Sequence, residues 1–293
     1  MFSRWQSSPG STFPHRLFTK HHDEINGLYW SHIIAAKRTT DVVKKADKRL
    51  RPTTVFTVPH KHQKRIAPTL EKWEKDFKDF NNWVRLSASV AVNSYMEIYL
   101  RRVTALAIES NPGLIIGAPG AIDGLTLLKS RPGYNYSEYA VHFTKGDWNT
   151  RIQHYERLFG AAPAKLKECC KELNELRKMR NGVGHAFGRS TDEYETGLQM
   201  ELKPMMRLSN DRFSFWLRMV EEVTAAIDDH LKEKHIGQYE RLLYYHEWLA
   251  KREGDRPSLS EEVDALRRAM QTDTGEAVDR EWLRGLIQYY HEC

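Results

Sequence analysis

The feature that most constrains the fold is a run of about 40 residues with helical periodicity. From Leu70 to Glu109, apolar side chains recur at intervals of three and four, which places them on one face of an α-helix. The tripeptide Asn-Pro-Gly at 111–113 ends the pattern. The positions in the run are Trp73, Phe77, Phe80, Trp83, Val84, Leu86, Val90, Ala91, Ser94, Tyr95, Ile98, Leu100, Val103 and Leu106.

Shorter helical patterns lie on both sides of this segment. They cover 15–50, 124–130, 147–159, which Gly160 ends, 211–231, and several stretches of the C-terminal tail. Residues 51–63 contain two prolines and several β-branched residues, so they predict an extended linker. Residues 196–206 alternate in part and predict a short strand or extended segment. The fold class expected for the chain is all-α.

The charge is unevenly distributed along the chain. The formal net charge of +6 divides into +8 for residues 1–64, +5 for residues 65–186 and −7 for residues 187–293. A basic surface favours polyanions such as nucleic acid, although a mixed solvated surface explains the same numbers equally well. The acidic tail is a poor RNA clamp and a plausible surface for a partner or regulator.

Membrane insertion, secretion and metal binding have little support in the sequence. No window holds the roughly 18 consecutive apolar residues of a membrane span, and the N-terminus lacks the apolar stretch of a secretory signal. Three cysteines, Cys169, Cys170 and Cys293, suggest no disulfide framework, so we expect a cytoplasmic protein. His60 and His62 have no carboxylate or cysteine beside them, which favours a solvated linker over a metal site. We expect no metal and no cofactor.

One short segment, 176–188 or LRKMRNGVGHAFG, carries candidate chemistry. It follows an apolar stripe that starts after Pro163 and consists of Leu166, Cys169, Cys170, Leu173, Leu176 and Met179. Asn181 and Gly182 are residue types that end helices, so we predict that this helix ends at Arg180. Gly184 then adds a flexible point, and the chain is expected to fold back and bring His185 near Arg180.

The spacing of Arg180 and His185 is not selective on its own. Arg16 and His21, and also Arg241 and His246, have the same spacing within stretches of predicted helix. Only the Arg180/His185 pair has an Asn immediately after the Arg and glycines between the two residues.

The RNGVGH segment resembles the Arg-Asn-x-x-x-His motif of the HEPN superfamily, the higher eukaryotes and prokaryotes nucleotide-binding domains. Residues 89–107, SVAVNSYMEIYLRRVTALA, look like the long helix of that family, and Glu97 matches a glutamate that this helix often carries. The resemblance covers residues 65–235. It implies a HEPN-type helical bundle at 65–235, with a basic helical segment and linker at 1–64 and an acidic helical extension at 236–293.

The resemblance also implies an activity. Active HEPN proteins are metal-independent ribonucleases of toxin–antitoxin, abortive-infection and CRISPR-linked systems, and their active site forms where two copies of the motif meet. Histidine titrates near neutral pH and suits proton transfer, while arginine suits a phosphate. Arg180, Asn181 and His185 are therefore the candidate catalytic residues, and Glu97 is a candidate support for Arg180. Asn181 as a plain helix cap, Glu97 as a structural ion-pair partner and His185 as a loop histidine remain the alternatives.

The expected partners are RNA and a second copy of the chain, joined through the helix predicted to end at Arg180. An antitoxin or regulatory partner is also expected. Tyr244, Tyr245 and Trp248 in the tail either stack bases or, as we favour, pack in a helical core or contact a partner. The main rival function is a non-catalytic helical module that binds RNA or protein. A DNA-binding regulator is weaker, because no helix-turn-helix stands out.

Overall fold

A computed structural model describes residues 2–7, 9–130, 136–189, 203–252 and 257–293. Its helices are, in order, α1 (Phe13–Lys44), α2 (Leu70–Ser110), α3 (Gly113–Ile116), α4 (Leu125–Ser130), α5 (Trp148–Phe159), α6 (Ala164–Glu168), α7 (Cys170–Ala186), α8 (Asn210–Leu231), α9 (Tyr239–Ala250), α10 (Leu259–Thr274) and α11 (Arg280–Glu292). No strand occurs within these ranges. The all-α prediction is confirmed.

The strongest periodic patterns gave the most accurate helix predictions. Helix α2 extends from Leu70 to Ser110, within one residue of the predicted end. Helix α5 begins after Asp147, whose carboxylate accepts a hydrogen bond from the backbone N–H of Thr150 at 2.9 Å. It ends at Gly160, which has φ +84° and supplies the backbone conformation that an L side chain rarely adopts.

Two predictions about irregular segments need correction. The linker at 51–63 is not extended throughout, because Pro52–Thr54 and His60–Arg65 form 3₁₀ turns. The helix predicted from Pro163 onward is divided at Cys169 into α6 and α7. The predicted strand or extended segment at 196–206 lies outside the described residues up to 202, and residues 203–206 have no regular structure.

The chain forms two compact units. We call Phe18–Met96 with Cys169–Glu222 the motif unit, because it contains Arg180, Asn181 and His185. We call Met1–Leu17, Glu97–Glu168 and Val223–Cys293 the terminal unit, because it contains both chain ends. The domain ranges 1–64, 65–235 and 236–293 stay predictions. No helix within the described ranges is long and apolar enough to cross a bilayer.

The core of the terminal unit is built by α4, α9, α10 and α11. Its buried members are Leu125, Leu242, Tyr245, Val263, Leu266, Met270, Leu283, Leu286, Ile287 and Tyr290. The Tyr245 hydroxyl donates to the Glu262 carboxylate at 2.8 Å, and Tyr244 and Trp248 pack against the same core. The helical-core interpretation of this aromatic run is therefore confirmed.

The motif unit has its own buried apolar side chains. Tyr29 of α1 packs edge-on against Phe213 of α8, with ring centroids 4.6 Å apart. In α7, Leu173, Leu176 and Val183 are buried. Leu173 and Leu176 of the predicted apolar stripe are thus covered within a single chain, so these two side chains are not available to a dimer contact.

Candidate active site

Helix α7 does not end at Arg180. It continues through Asn181, Gly182, Val183 and Gly184 to Ala186, so the prediction of a helix stop at the motif is wrong. Each glycine inside a helix costs about 1 kcal/mol relative to alanine. The burial of Val183 one residue after Gly182 offsets that cost, since burying a valine side chain stabilises by roughly 1.5–3 kcal/mol.

The true end of α7 is a left-handed turn at Phe187 and Gly188. Their φ angles are +53° and +71°. The backbone N–H of Phe187 donates to the carbonyl of Val183, and that of Gly188 donates to the carbonyl of Gly182, both at 2.9 Å. The bond from Phe187 to Val183 is the single hydrogen bond of the αL cap motif. Asn181 as the helix cap is therefore wrong, because Asn181 lies one turn inside the helix.

The helix fixes the directions of the three motif side chains. Asn181 and His185 are four residues apart, so they lie on one face about one turn apart. Arg180 and His185 are five residues apart, so they leave the helix roughly 140° apart. The expectation that the chain folds back to bring His185 near Arg180 is therefore wrong, because the intervening backbone is helical.

Arg180 and Asn181 are in direct contact. The guanidinium of Arg180 donates a hydrogen bond to the side-chain carbonyl oxygen of Asn181 at 3.1 Å. Both residues are half-buried, while Gly184 and His185 are exposed. The contact gives Asn181 the means to orient Arg180, and the exposure leaves the His185 ring accessible to a large substrate.

The segment around Met206 packs against the end of α7. The Gly188 carbonyl accepts a hydrogen bond from the Met206 backbone N–H at 2.7 Å. A Cβ at Gly188 would come within 2.7 Å of the Met206 side chain, so both the close approach and the positive φ require glycine there.

Buried Asn82 of α2 also binds this segment. Its amide nitrogen donates to the Met206 carbonyl, and its amide oxygen accepts from the Leu208 N–H, each at 2.9 Å. Arg85, one turn later, donates to Asn210 at 2.8 Å. Burial lowers the pKa of the Arg85 guanidinium from its ordinary value. Sequence reasoning missed Asn82 and Arg85, because a polar residue within an apolar repeat gives no local sign of its partner.

Three aromatic rings also adjoin the motif. Trp83 of α2 stacks on Phe187, with centroids 5.2 Å apart and planes 12° apart. Phe80 lies nearly parallel to Trp83 at 6.1 Å and 10°. Phe80 is 50% exposed and Trp83 is 42% exposed, so these two members of the predicted apolar stripe lie outside the core.

Glu97 belongs to the terminal unit. Its carboxylate forms an ion pair with Arg151 at 3.2 Å, and Arg151 also donates to the Thr144 carbonyl at 2.6 Å. Both side chains of the pair are largely buried. These contacts agree with the alternative role of Glu97 as a structural ion-pair partner.

The two other Arg/His pairs with the same spacing contribute to packing. Arg241 forms an ion pair with Glu276 at 2.9 Å, and a ring nitrogen of His246 is hydrogen-bonded to the Tyr290 hydroxyl at 2.6 Å. His21 stacks face to face on Tyr95, with ring centroids 4.1 Å apart. The exposed His185 therefore remains the best candidate for chemistry.

No family model, no curated protein and no solved structure matches this chain.

Proposed function

We propose that this chain is a metal-independent endoribonuclease of the HEPN type. The observation that carries the proposal is the arrangement on α7, where an exposed His185 lies one turn after Asn181, and Asn181 accepts a hydrogen bond from Arg180. An imidazole that can transfer protons and a permanently charged guanidinium that can bind a phosphate thus lie within six residues of each other. The resemblance of RNGVGH to the family motif supports the same activity.

The residues account for each requirement of RNA cleavage by internal attack. The 2′-oxygen attacks the neighbouring phosphorus, the bond from phosphorus to the 5′-oxygen breaks, and a 2′,3′-cyclic phosphate remains. One imidazole accepts the proton of the 2′-hydroxyl, and a second imidazolium delivers a proton to the departing 5′-oxygen. The Arg180 guanidinium binds the phosphate oxygens, whose negative charge grows in the transition state. Asn181 orients Arg180 through its hydrogen bond.

The need for two imidazoles supports a site formed by two copies of the chain. One copy supplies one His185, and its Arg180 leaves α7 in a different direction. A symmetric dimer would bring two of each residue to one cleft. The contact would use the exposed end of α7 around Gly184 and His185, since Leu173 and Leu176 are already buried.

A role as toxin or effector in bacterial defence or growth arrest follows from the same resemblance, and an antitoxin or regulator would then control it. The rival proposal is a non-catalytic helical module that binds RNA or protein through the same surface. The half-buried Arg180 favours phosphate binding in either case, so the chemistry of the product decides between them.

The products of cleavage test the proposed mechanism. RNA incubated with the pure protein in EDTA should be cut and should carry a 2′,3′-cyclic phosphate, because the nucleophile is the 2′-hydroxyl. A matched oligonucleotide with a single 2′-deoxy residue at the cut site should resist cleavage there while other sites are still cut. Mass spectrometry of the fragments measures both results. Normal cleavage at the 2′-deoxy position would exclude internal attack.

Mixing wild type with the inactive His185→Ala protein tests the shared site. After subunit exchange with an excess of His185→Ala protein, cleavage should fall well below that of the same amount of wild type alone. The mixed dimer holds only one His185, whereas the reaction calls for two imidazoles. Sedimentation velocity on the wild type should show a dimer at the assay concentration. A monomer that cleaves RNA at the full rate would contradict the shared site.

A further inference from the structure

Phe80, Trp83 and Phe187 form a row of nearly parallel rings, which we call the aromatic row. Their planes differ by only 10° and 12° between neighbours. Apolar rings with half their surface in water are poorly explained by packing alone, because burying them would stabilise the fold. The exposure of Phe80 and Trp83 thus leaves flat apolar surface available to another molecule.

The backbone at Phe187 gives an independent indication that this row has a function. Among the described residues other than glycine, Phe187 alone has a positive φ. The left-handed conformation costs a residue with a side chain roughly 1–2 kcal/mol, and a helix end usually carries glycine or asparagine there. A phenylalanine at this position carries that cost, but it places its ring against Trp83. Strain of this kind is concentrated at functional sites.

The charges that flank Phe187 along the chain fit a polyanion. Residues 176–189 contain Arg177, Lys178, Arg180 and Arg189 and no Asp or Glu. The acidic residue adjacent to Phe80 in sequence, Asp79, is paired with Arg207 at 2.7 Å. Flat aromatic faces beside a track of cations are the combination by which proteins bind single-stranded nucleic acid, since the cations bind phosphates and the rings stack on bases.

We propose that the aromatic row is a platform on which unpaired RNA bases stack beside the scissile phosphate. The substrate class is then single-stranded RNA, because bases within a duplex have no free face. Phe187 is only two residues after His185, a rise of about 3 Å along the helix end, so a base on the row and its phosphate can reach the motif together. This inference rests on the proposed nuclease function for the identity of the site, but its binding step can be measured separately.

The test measures binding in a protein that carries His185→Ala, so that the RNA stays intact. The probe is a fluorescent 12-nucleotide oligouridylate, compared with an abasic ribose-phosphate oligomer of the same length and with an RNA duplex. Trp83→Leu and Phe187→Gly should each weaken oligouridylate binding roughly 5- to 100-fold, the range expected for the loss of one stacked base. Binding of the abasic oligomer should be weak and should not change in the variants.

The Phe187→Gly variant distinguishes a loss of base stacking from a loss of folding. Glycine adopts the left-handed conformation without strain, which offsets the lost contact with Trp83, so this variant should unfold at a temperature close to that of the parent protein while it loses the stacking ring. The matched control is Trp30→Leu, because Trp30 is a tryptophan of the same unit that is 50% exposed and stacks on neither Phe80 nor Phe187. Its oligouridylate affinity should equal that of the parent.

Each outcome bears on one proposal. The platform is overturned if Trp83→Leu and Phe187→Gly bind oligouridylate as tightly as the parent does. It is also overturned if the parent binds the abasic oligomer or the duplex as tightly as oligouridylate. In either case the row would contact a protein partner instead. If wild-type protein then still cleaves RNA, the nuclease function stands without the platform. If base-dependent binding is lost in both variants but wild-type protein cleaves nothing, the platform stands and the nuclease function fails.

Discussion

Alanine at His185 is expected to lower the rate of RNA cleavage by about 10²–10⁴, the usual loss when a catalytic acid–base is removed. Alanine at Arg180 is expected to lower it by about 10²–10³, the usual loss when a group that stabilises transition-state charge is removed. His185 is exposed, so its replacement should change the free energy of unfolding by no more than about 0.5 kcal/mol. Single-turnover cleavage of a defined RNA, together with thermal unfolding of each variant, measures both effects. A loss of rate without loss of stability assigns the chemistry to the motif.

Matched controls exist for both residues. His62→Ala removes an exposed histidine of the 60–65 turn, and Lys171→Ala removes an exposed cation of α7 nine residues before Arg180. Both should retain nearly the full cleavage rate. Arg180→Lys keeps the charge but loses the planar pair of N–H donors, so it should fall between wild type and Arg180→Ala. Undiminished cleavage by His185→Ala would remove the motif from the chemistry altogether.

Long periodic patterns made most of the fold predictable. In α2, the apolar repeat extends over more than ten helical turns, so no single residue decides the assignment and both ends were found within one residue. In α5, a local signal acts at each end and needs no distant partner: the Asp147 carboxylate accepts from the backbone N–H of Thr150, and Gly160 supplies a positive φ. Sequence reasoning succeeds where the stabilising contacts are local.

The end of α7 could not be predicted for the opposite reason. Asn181, Gly182 and Gly184 are local signals for a helix end, but each contributes only about 1 kcal/mol or less. The structure ends the helix at Phe187 instead, where Val183 is buried and Met206 packs on Gly188. Met206 is 18 residues further along the chain, so its contribution is not visible in the motif itself.

The aromatic row was not predicted, although the helix that carries Phe80 and Trp83 was. Phe80 and Trp83 satisfy the three-residue spacing of the α2 stripe, and spacing does not distinguish a ring that faces the core from one that faces water at the edge of the stripe. The partner ring, Phe187, is more than 100 residues away in sequence. Only the folded chain brings these three rings together.

Replacing Leu173 with glutamate is expected to unfold the motif unit rather than to separate two subunits. Leu173 has no exposed surface in the single chain, although its apolar stripe was predicted to form the dimer contact. A carboxylate at a buried apolar site loses its hydration without gaining a partner, and even Leu173→Ala should cost about 2–5 kcal/mol. Thermal unfolding followed by circular dichroism should therefore show a large fall in the midpoint, or no cooperative transition, for Leu173→Glu.

Lys171→Glu is the matched control, because it introduces the same carboxylate on the same helix at an exposed position. It should keep a near-wild-type midpoint. The comparison separates burial from charge, since both variants carry a new acidic group on α7. If Leu173→Glu were instead well folded, with an unchanged midpoint, and monomeric where the wild type is dimeric, the stripe would belong to the subunit contact after all. A dimer formed through the exposed end of α7 predicts the reverse, namely that loss of Leu173 destroys the fold before it can affect assembly.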